Sequence, residues 1–539
     1  MNLITKYTQK WIIALLCIAS SLFADWSMPQ ELIYPKAGPA TATNPSIASD
    51  PQGNAVAVWI DVSDTGSFQA ARLTAGDVNS LGQPNWILTN PISTSNVQAT
   101  PDFYSQMVGM DRDGNALAVW TDGIHIYVSR LAPLQNTWSE PTTINTQIGI
   151  ERVSSPFIAV AKNGNVIVSW NSSPHIYEYS VFCNVFDASS NSWLGQTAIL
   201  AEGAYEGYSG INQICIDPKG NGVIVLSITS NQMQLASYNV TSNTWTPIFY
   251  EGSSFIFTTY SSIDSEGNAL IVWVDETLQL QAATLLLNAT SLTNQHTLSN
   301  EITNQFPFAF VTSDSKGNGI AAWSNPSGNF SSARYSPILK TWEELPILDL
   351  GGITPIEIML SSDSLGNTLA CWTVLSDPLG QVQTTSLNAG DSLWKPVTTL
   401  SAPGTQNINP LIELTSTGDG LALWQTISEE EFSGSINASI SLNMFLPLPP
   451  SYFKGSIISN KFLTQTDRIH DLTWGKSSDP SVVKYNLYRN NKLITSLPSE
   501  GNVYFYKDHN RNKKKKDIYK ITSVNQEGAE SLGLYVTLQ

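Results

Sequence analysis

One decapeptide recurs along most of this chain. Asp50-Pro51-Gln52-Gly53-Asn54-Ala55-Val56-Ala57-Val58-Trp59 returns as DRDGNALAVW from Asp111, AKNGNVIVSW from Ala161, DPKGNGVIVL from Asp217, DSEGNALIVW from Asp264, DSKGNGIAAW from Asp314, DSLGNTLACW from Asp363 and TSTGDGLALW from Thr415. These are eight copies, and their glycines are 61, 50, 56, 47, 50, 49 and 52 residues apart. A period near fifty describes a molecule that grows by adding one supersecondary unit to the last, each burying its apolar faces against its neighbours. A residue that makes the fold must recur in every copy, whereas a catalytic residue need occur only once. The repeated Asp residues 50, 111, 217, 264, 314 and 363 are therefore turn formers.

Each copy is legible in physical terms. D-x-x-G-N is a tight turn, in which Asp accepts backbone N–H groups, Gly supplies a positive φ and Asn tolerates strained geometry. The residues that follow are small or branched on both faces, which predicts a strand covered on both sides. Ala55 and Ala57 share a face with Trp59, so that face is narrow at one end and wide at the other. A short strand such as Pro45-Ser46-Ile47-Ala48 or Phe157–Val160 precedes the turn. An alternating one such as Ile124–Val128 or Gln234–Tyr238 follows, and then a segment with a second Trp, as at Trp138, Trp245, Trp342 and Trp394. Four strands in about fifty residues is the arithmetic of a β-propeller blade.

The tryptophans extend that count. Of 16, seven end the second strand (59, 120, 170, 273, 323, 372, 424) and seven open the fourth (26, 86, 138, 193, 245, 342, 394). Trp26 belongs to a fourth strand with no blade before it, and the eighth copy ends near Met444 with no fourth strand after it. The expectation is an all-β, eight-bladed propeller closed by the N-terminal strand, with seven blades as the runner-up, because closure removes exposed sheet edges. The pentad and its Trp are similar to the Asp-box turn of sialidase-like propellers, and the layout resembles kelch-like and related bacterial secreted propellers. Here Gly stands three residues after Asp instead of two. An Asp box forms a hairpin turn, so the resemblance implies no catalytic residue, and Arg72, Arg112, Arg130, Arg152 and Arg334 sit in no motif of the arginine triad that sialidases use.

The predicted domains are a signal peptide at 1–24, the propeller at 25–445, a proline-rich linker at 446–453 and a second domain at 454–539. Lys6 and Lys10 precede the apolar run Trp11 to Ile18, and Ala24 offers a small residue at the cleavage point, which predicts export. Lipidation at Cys17 is disfavoured by the bulky Leu15 and Leu16, an uncleaved anchor stays as an alternative, and no later segment qualifies as a transmembrane helix. The segment after the linker reads DLTW, KYNLYRNNK and YKITSVNQEGAES. It resembles a fibronectin type III domain, which implies a core Trp474, inward Tyr485 and Leu487, a tyrosine-corner position at Tyr519, further core candidates at Leu472, Ile521 and Leu534, and a spacer or adhesion role.

Charge divides between these parts. Residues 454–539 hold 14 Lys/Arg and 8 Asp/Glu, whereas 25–453 hold 11 and 36. That net −25 tells against nucleic acid as a partner of the repeats. The basic run Lys513, Lys514, Lys515 and Lys516 is a solvated loop or an electrostatic contact for an anionic surface. Cys183, Cys215 and Cys371 have neither disulfide nor metal-site spacing, and Cys371 occupies a core position. His125, His175, His296, His470 and His509 lack ligand spacing, so no metal and no cofactor is expected; His125 is read as structural or wall-lining. Glu429-Glu430-Glu431 is loop surface. No catalytic residue can be named. What the copies do not share is concentrated in Asp61–Thr100, with Asp77-Val78-Asn79 and the polar stretch Ser93–Thr100, and in Ser172–Ser189, with Tyr177 and Tyr179. The expected function is a secreted or cell-surface protein that recognises a glycan or a protein; the alternative is a secreted glycan-processing hydrolase or lyase with its site in the propeller funnel.

Overall fold

The structure is a computed structural model that describes residues 26–32, 42–62, 67–79, 83–93, 106–146, 152–175, 178–200, 210–227, 232–251, 256–275, 277–302, 309–374, 380–428, 431–442, 444–461, 466–479, 482–513, 515–525, 530–531 and 533–539. It is all-β and divides into two compact units, 1–443 and 444–539. The predicted signal peptide, Cys17, the stretch 94–100, Tyr177, Glu429, Glu430 and Lys514 lie outside the described residues.

In the first unit the recurring turn is built the same way in six copies. Asp50 Oδ1 accepts the Gln52 and Asn54 amides at 2.9 Å each, and Oδ2 accepts Asn54 Nδ2 at 2.7 Å. Asn54 Oδ1 then takes the Ala75 amide at 3.0 Å, tying the turn between strands one and two to the end of strand three. Copies of this bridge occur at Asn165, Asn221, Asn268 and Asn367. Two copies lack the Asp and substitute its chemistry. In the third, Asn163 Oδ1 accepts the Asn165 amide; in the eighth, Thr415 Oγ1 accepts that of Asp419.

The motif glycine has a second role besides its positive φ. A Cβ on Gly220 would stand 2.5 Å from Asn165 Nδ2, one on Gly317 3.0 Å from Asp264 Oδ2, and one on Gly114 3.1 Å from Asp50 Oδ2. These turns thus sit on the polar side chain of the turn before them, with little room for a methyl group. Gly53 meets Thr417 and Asp419 in the same way, so the eighth copy supports the first.

The second strands carry the core. Ala55, Ala57 and Trp59 of the strand Ala55–Asp61 pack with Leu421 and Leu423 of the eighth copy, while Val56, Val58 and Ile60 pack with Ala116, Ala118 and Trp120 of the second. The same alternation places Trp170 against the second copy and Ile167 against the fourth. Small residues on one face let neighbouring sheets approach, and the Trp fills the space where they diverge; all seven second-strand tryptophans are buried. Three fourth strands are short: Ile87–Leu88, Thr142–Thr143 and Thr398–Thr399 have two residues each, and their tryptophans, Trp86, Trp138 and Trp394, precede them.

The expected eight-bladed propeller, closed by the N-terminal strand, requires correction, and so does its seven-bladed runner-up. The first and eighth copies form one continuous eight-stranded sheet instead of two blades, and among the described residues no sheet closes on itself. The cause is the strand Glu431–Ser441, which at 11 residues offers its edge twice. Ile436, Asn437 and Ala438 pair with Gln30–Leu32, and Gly434 pairs with Ala42 at the head of the first copy. A Cβ on Gly434 would fall on the Thr426 carbonyl, so the path of this strand requires glycine. The third copy adds a fifth strand, Thr197–Leu200, and the remaining copies form four-stranded sheets.

The second unit consists of a three-stranded sheet, Phe453–Lys461, Thr466–Gly475 and Val503–Asp508, and a four-stranded one, Lys492–Pro498, Val482–Arg489, Asp517–Asn525 and Leu534–Leu538. Both sheets feed one core in which Leu472, Trp474, Tyr485, Leu487, Tyr519 and Ile521 are fully buried and Leu534 partly so. The Tyr519 hydroxyl donates to Asp508 Oδ2 at 2.6 Å and lies 3.0 Å from His470 Nδ1, in place of the backbone bond of a tyrosine corner. The proline-rich segment belongs with this unit: the Leu448 amide donates to Asp479 and its carbonyl accepts Ser477 Oγ.

Candidate functional site

Where the first strands run into their turns they line an open cavity of ≈ 390 Å³. The position two residues before each turn lines it in all eight copies: Ala48, Gly109, Ala159, Cys215, Ser262, Thr312, Ser361 and Glu413. Seven of these are small and uncharged. Glu413, in the strand Gln406–Leu414, is the only carboxylate among the described residues of the wall.

Hydroxyls and amides supply most of the remaining polarity. Ser49 Oγ donates to Glu413 Oε1 at 2.9 Å, and the Ser262 and Ser313 hydroxyls are 2.7 Å apart. Ser361 Oγ accepts the Leu414 amide at 2.9 Å, and Gln213 Oε1 accepts that of Ser261 at 2.6 Å. Burial pushes the Glu413 carboxyl up from 4.5 to about 7, opposed by the Ser49 hydrogen bond and by the positive charge of Lys162. The Cys215 thiol is pushed up by burial to about 11, which keeps it protonated at neutral pH and a poor nucleophile.

The residues that the sequence singles out are scattered over the fold. Asp77, Val78 and Asn79 form a small hairpin: Val78 bridges to Pro84, and the Asn79 amide donates to the Gln83 carbonyl at 2.8 Å. This insertion grips the N-terminal strand, since Gln83 Nε2 donates to the Pro29 carbonyl and the Trp86 amide to Gln30 Oε1. Its place in the chain is structural. Ser172–Ser189 falls on the hairpin of Val166–His175 and Glu178–Asp187.

His125 lies in a turn, where its Nδ1 is 3.2 Å from Asp122 Oδ2; that same oxygen accepts the Tyr127 hydroxyl at 3.0 Å. The Asp122 carboxyl, although partly desolvated, is held below its ordinary value by these bonds and by the His125 and Ile124 amides, and Tyr127 is raised to about 12 by burial and by Asp122. His296 is exposed on Thr293–Ser299, His470 is buried in the second unit, and His509 pairs with Asp467 at 2.6 Å. Cys183 and Cys371 are buried in the core with protonated thiols. Among the described residues no three His, Cys, Asp or Glu side chains converge as metal ligands would. Lys513, Lys515 and Lys516 are exposed. Of the motif-free arginines, Arg72 donates to Asn136 and Arg334 to the Asp391 carbonyl, each between neighbouring copies.

Glu413 is the residue that the sequence reading missed. Its signal was present: aligned on the turn, the eight copies place seven small residues and one glutamate in this column.

No family model matches the chain, and no curated protein matches it. Solved structures do. The WD40 domain of SCAP from fission yeast aligns at 10% identity over 77% of this chain and 98% of that one, with a TM-score of 0.44. The polysaccharide lyase Uly1 aligns at 8% identity over 78% and 92%, with a TM-score of 0.42. A point mutant of the lectin of Aleuria aurantia, in complex with alpha-methyl-L-fucoside, aligns at 13% identity over 58% and 98%, with a TM-score of 0.32. These are remote likenesses among β-rich proteins, and the function of this chain has to be argued from its own residues. Among the described residues no helix is long and apolar enough to cross a membrane.

Proposed function

We propose that this is an exported binding protein whose repeat unit recognises a polar ligand, of glycan or protein origin, with the cavity at the turn ends as the recognition site. The observation that carries this reading is the cavity column, in which a position held small in seven copies keeps space open and the eighth supplies one charged group. A wall of Ser, Thr and Gln side chains with a single carboxylate offers both donors and acceptors, which suits a hydroxyl-rich ligand. The volume lies within the range of small-molecule sites, roughly 300–1,000 Å³. Hydrolysis by two carboxylates requires them about 5 Å or about 6.5–9.5 Å apart across the scissile bond. Glu413 is alone in the described wall, and this favours binding over hydrolysis.

In the same reading the second unit is a fibronectin type III-like spacer that presents the repeats away from a surface. Its exposed Lys513, Lys515 and Lys516 fit contact with an anionic one. The test is a glycan and surface-protein array probed with the purified chain, followed by competition with soluble ligand. Saturable binding that weakens when Ser361 or Glu413 is replaced is the expected result. Absence of any saturable partner, or binding indifferent to both replacements, contradicts it.

A further inference from the structure

The wall of the cavity is neutral except at one point, and that point is poised to receive a positive charge. Glu413 Oε1 is engaged by Ser49 Oγ. No Lys, Arg or His among the described residues comes within ion-pairing distance of the carboxylate. The facing groups that titrate or carry charge are Lys162, whose influence is long-range and whose side chain is exposed on the turn of the third copy, and the protonated Cys215 thiol. A half-buried carboxylate without a counter-ion is costly, and a ligand that supplies one recovers that cost as binding energy. The small neighbours in the column leave room beside it, and the Ser262, Thr312 and Ser361 hydroxyls share its level. The surrounding unit, with 36 Asp/Glu against 11 Lys/Arg over 25–453, attracts cations and disfavours anions.

We infer that the cavity binds a polyhydroxylated ligand bearing an ammonium group, with Glu413 as its counter-ion and the wall hydroxyls on its oxygens. This rests on the binding role proposed above and specifies its chemistry. An ammonium ion favours the ionised carboxylate, so binding at or below neutral pH releases a proton from Glu413. Affinity therefore rises with pH until that group is fully ionised.

The test uses two probes that share a hydroxylated six-carbon chain and differ in charge: N-methyl-D-glucamine, whose amine stays protonated from pH 6 to 8, and sorbitol. Calorimetric titration of the full chain is expected to show the amine binding ~10-fold more tightly than sorbitol at pH 8, as a charge-assisted contact implies. That preference should shrink as the pH is lowered to 6, while sorbitol binding stays flat. Glu413→Gln should bring the two affinities together, with an unfolding midpoint at pH 8 no lower than that of the native chain, which separates lost binding from lost folding. Equal affinities in the native chain, a preference that survives Glu413→Gln, or no binding of the amine at all overturns the inference. Saturable array binding to neutral glycans with no such preference would overturn it while leaving the broader binding role intact.

Discussion

The two units hold their polar groups in opposite ways. In the repeats, polarity is divided into small neutral or singly charged sets, each closed within one turn and its neighbour, as in Asp217 with Asn221 and Asn221 with the Val240 amide. In the second unit charge gathers in a dense network around Tyr519: Asp508 accepts from Arg489 at 2.6 Å, from Tyr519 at 2.6 Å and pairs with Arg511 at 3.3 Å, while Asn490 donates to Asp517 and His470 stands 3.0 Å from the Tyr519 hydroxyl. A repeated device spreads the consequence of any one loss over many contacts. A dense charged network makes each member hard to replace.

The largest expected effect breaks the concentrated side of this contrast. Asp508→Ala removes the acceptor shared by two arginines and a buried tyrosine, and should destabilise the second unit by about 3–5 kcal/mol, the usual cost of stranding buried charge. Denaturant unfolding followed by Trp474 fluorescence, with the repeat unit's tryptophans followed separately after replacement of Trp474, should show the loss confined to the second unit.

Acid separates the units by sign. Burial, the foremost cause, depresses the His470 pKa below its ordinary 6.5 despite the nearby Asp517. The stability tied to the neutral ring is present above that value and is lost as pH falls through it toward the folded pKa. Glu413 behaves oppositely: raised from 4.5 to about 7, it favours the folded repeats most below pH 4.5 and loses that contribution as pH rises through 7, a change of at most about 3 kcal/mol. Melting curves between pH 5 and 7.5 should therefore show the second unit weakening toward pH 5 in a manner abolished by His470→Gln. The repeats should show a slope of the other sign that Glu413→Gln removes.

Within the repeats the effects are smaller. Gly220→Ala places a methyl group 2.5 Å from Asn165 Nδ2 at φ +104 and should cost about 1–3 kcal/mol by chemical denaturation. Asn221→Ala frees the Val240 amide and one oxygen of Asp217, and should cost about 1 kcal/mol.

Much of this organisation was legible because it repeats. The turn, the second strand and the alternation of Ala55, Ala57 and Trp59 against Val56, Val58 and Ile60 follow from local chemistry that any copy displays. The fusion of the first and eighth copies was not legible, because it depends on where one long strand offers its edge and on a single glycine, Gly434, whose need is created by the Thr426 carbonyl. The interlock of glycines such as Gly220, Gly317 and Gly114 with the preceding turn was hidden for a similar reason: a positive φ already accounts for Gly, and the second constraint exists only between copies. The insertion around Asp77 looked functional because it is unique, yet its uniqueness follows from a unique task, holding Gln30 and Pro29. Glu413 stood in plain sight, but only the fold shows that its column faces a cavity.

Two substitutions in the repeats test the central claim, that recurring residues build the scaffold while the one charged residue of the described wall serves recognition. Asp264→Ala strands the Glu266 and Asn268 amides, and Glu413→Gln changes only the cavity. Measured side by side for unfolding midpoint and for N-methyl-D-glucamine affinity at pH 8, Asp264→Ala should lower the midpoint and leave the affinity unchanged. Glu413→Gln should keep the midpoint and lose the affinity. If Asp264→Ala abolished binding in a fully folded protein while Glu413→Gln bound as the native chain does, the division between scaffold and site would be wrong.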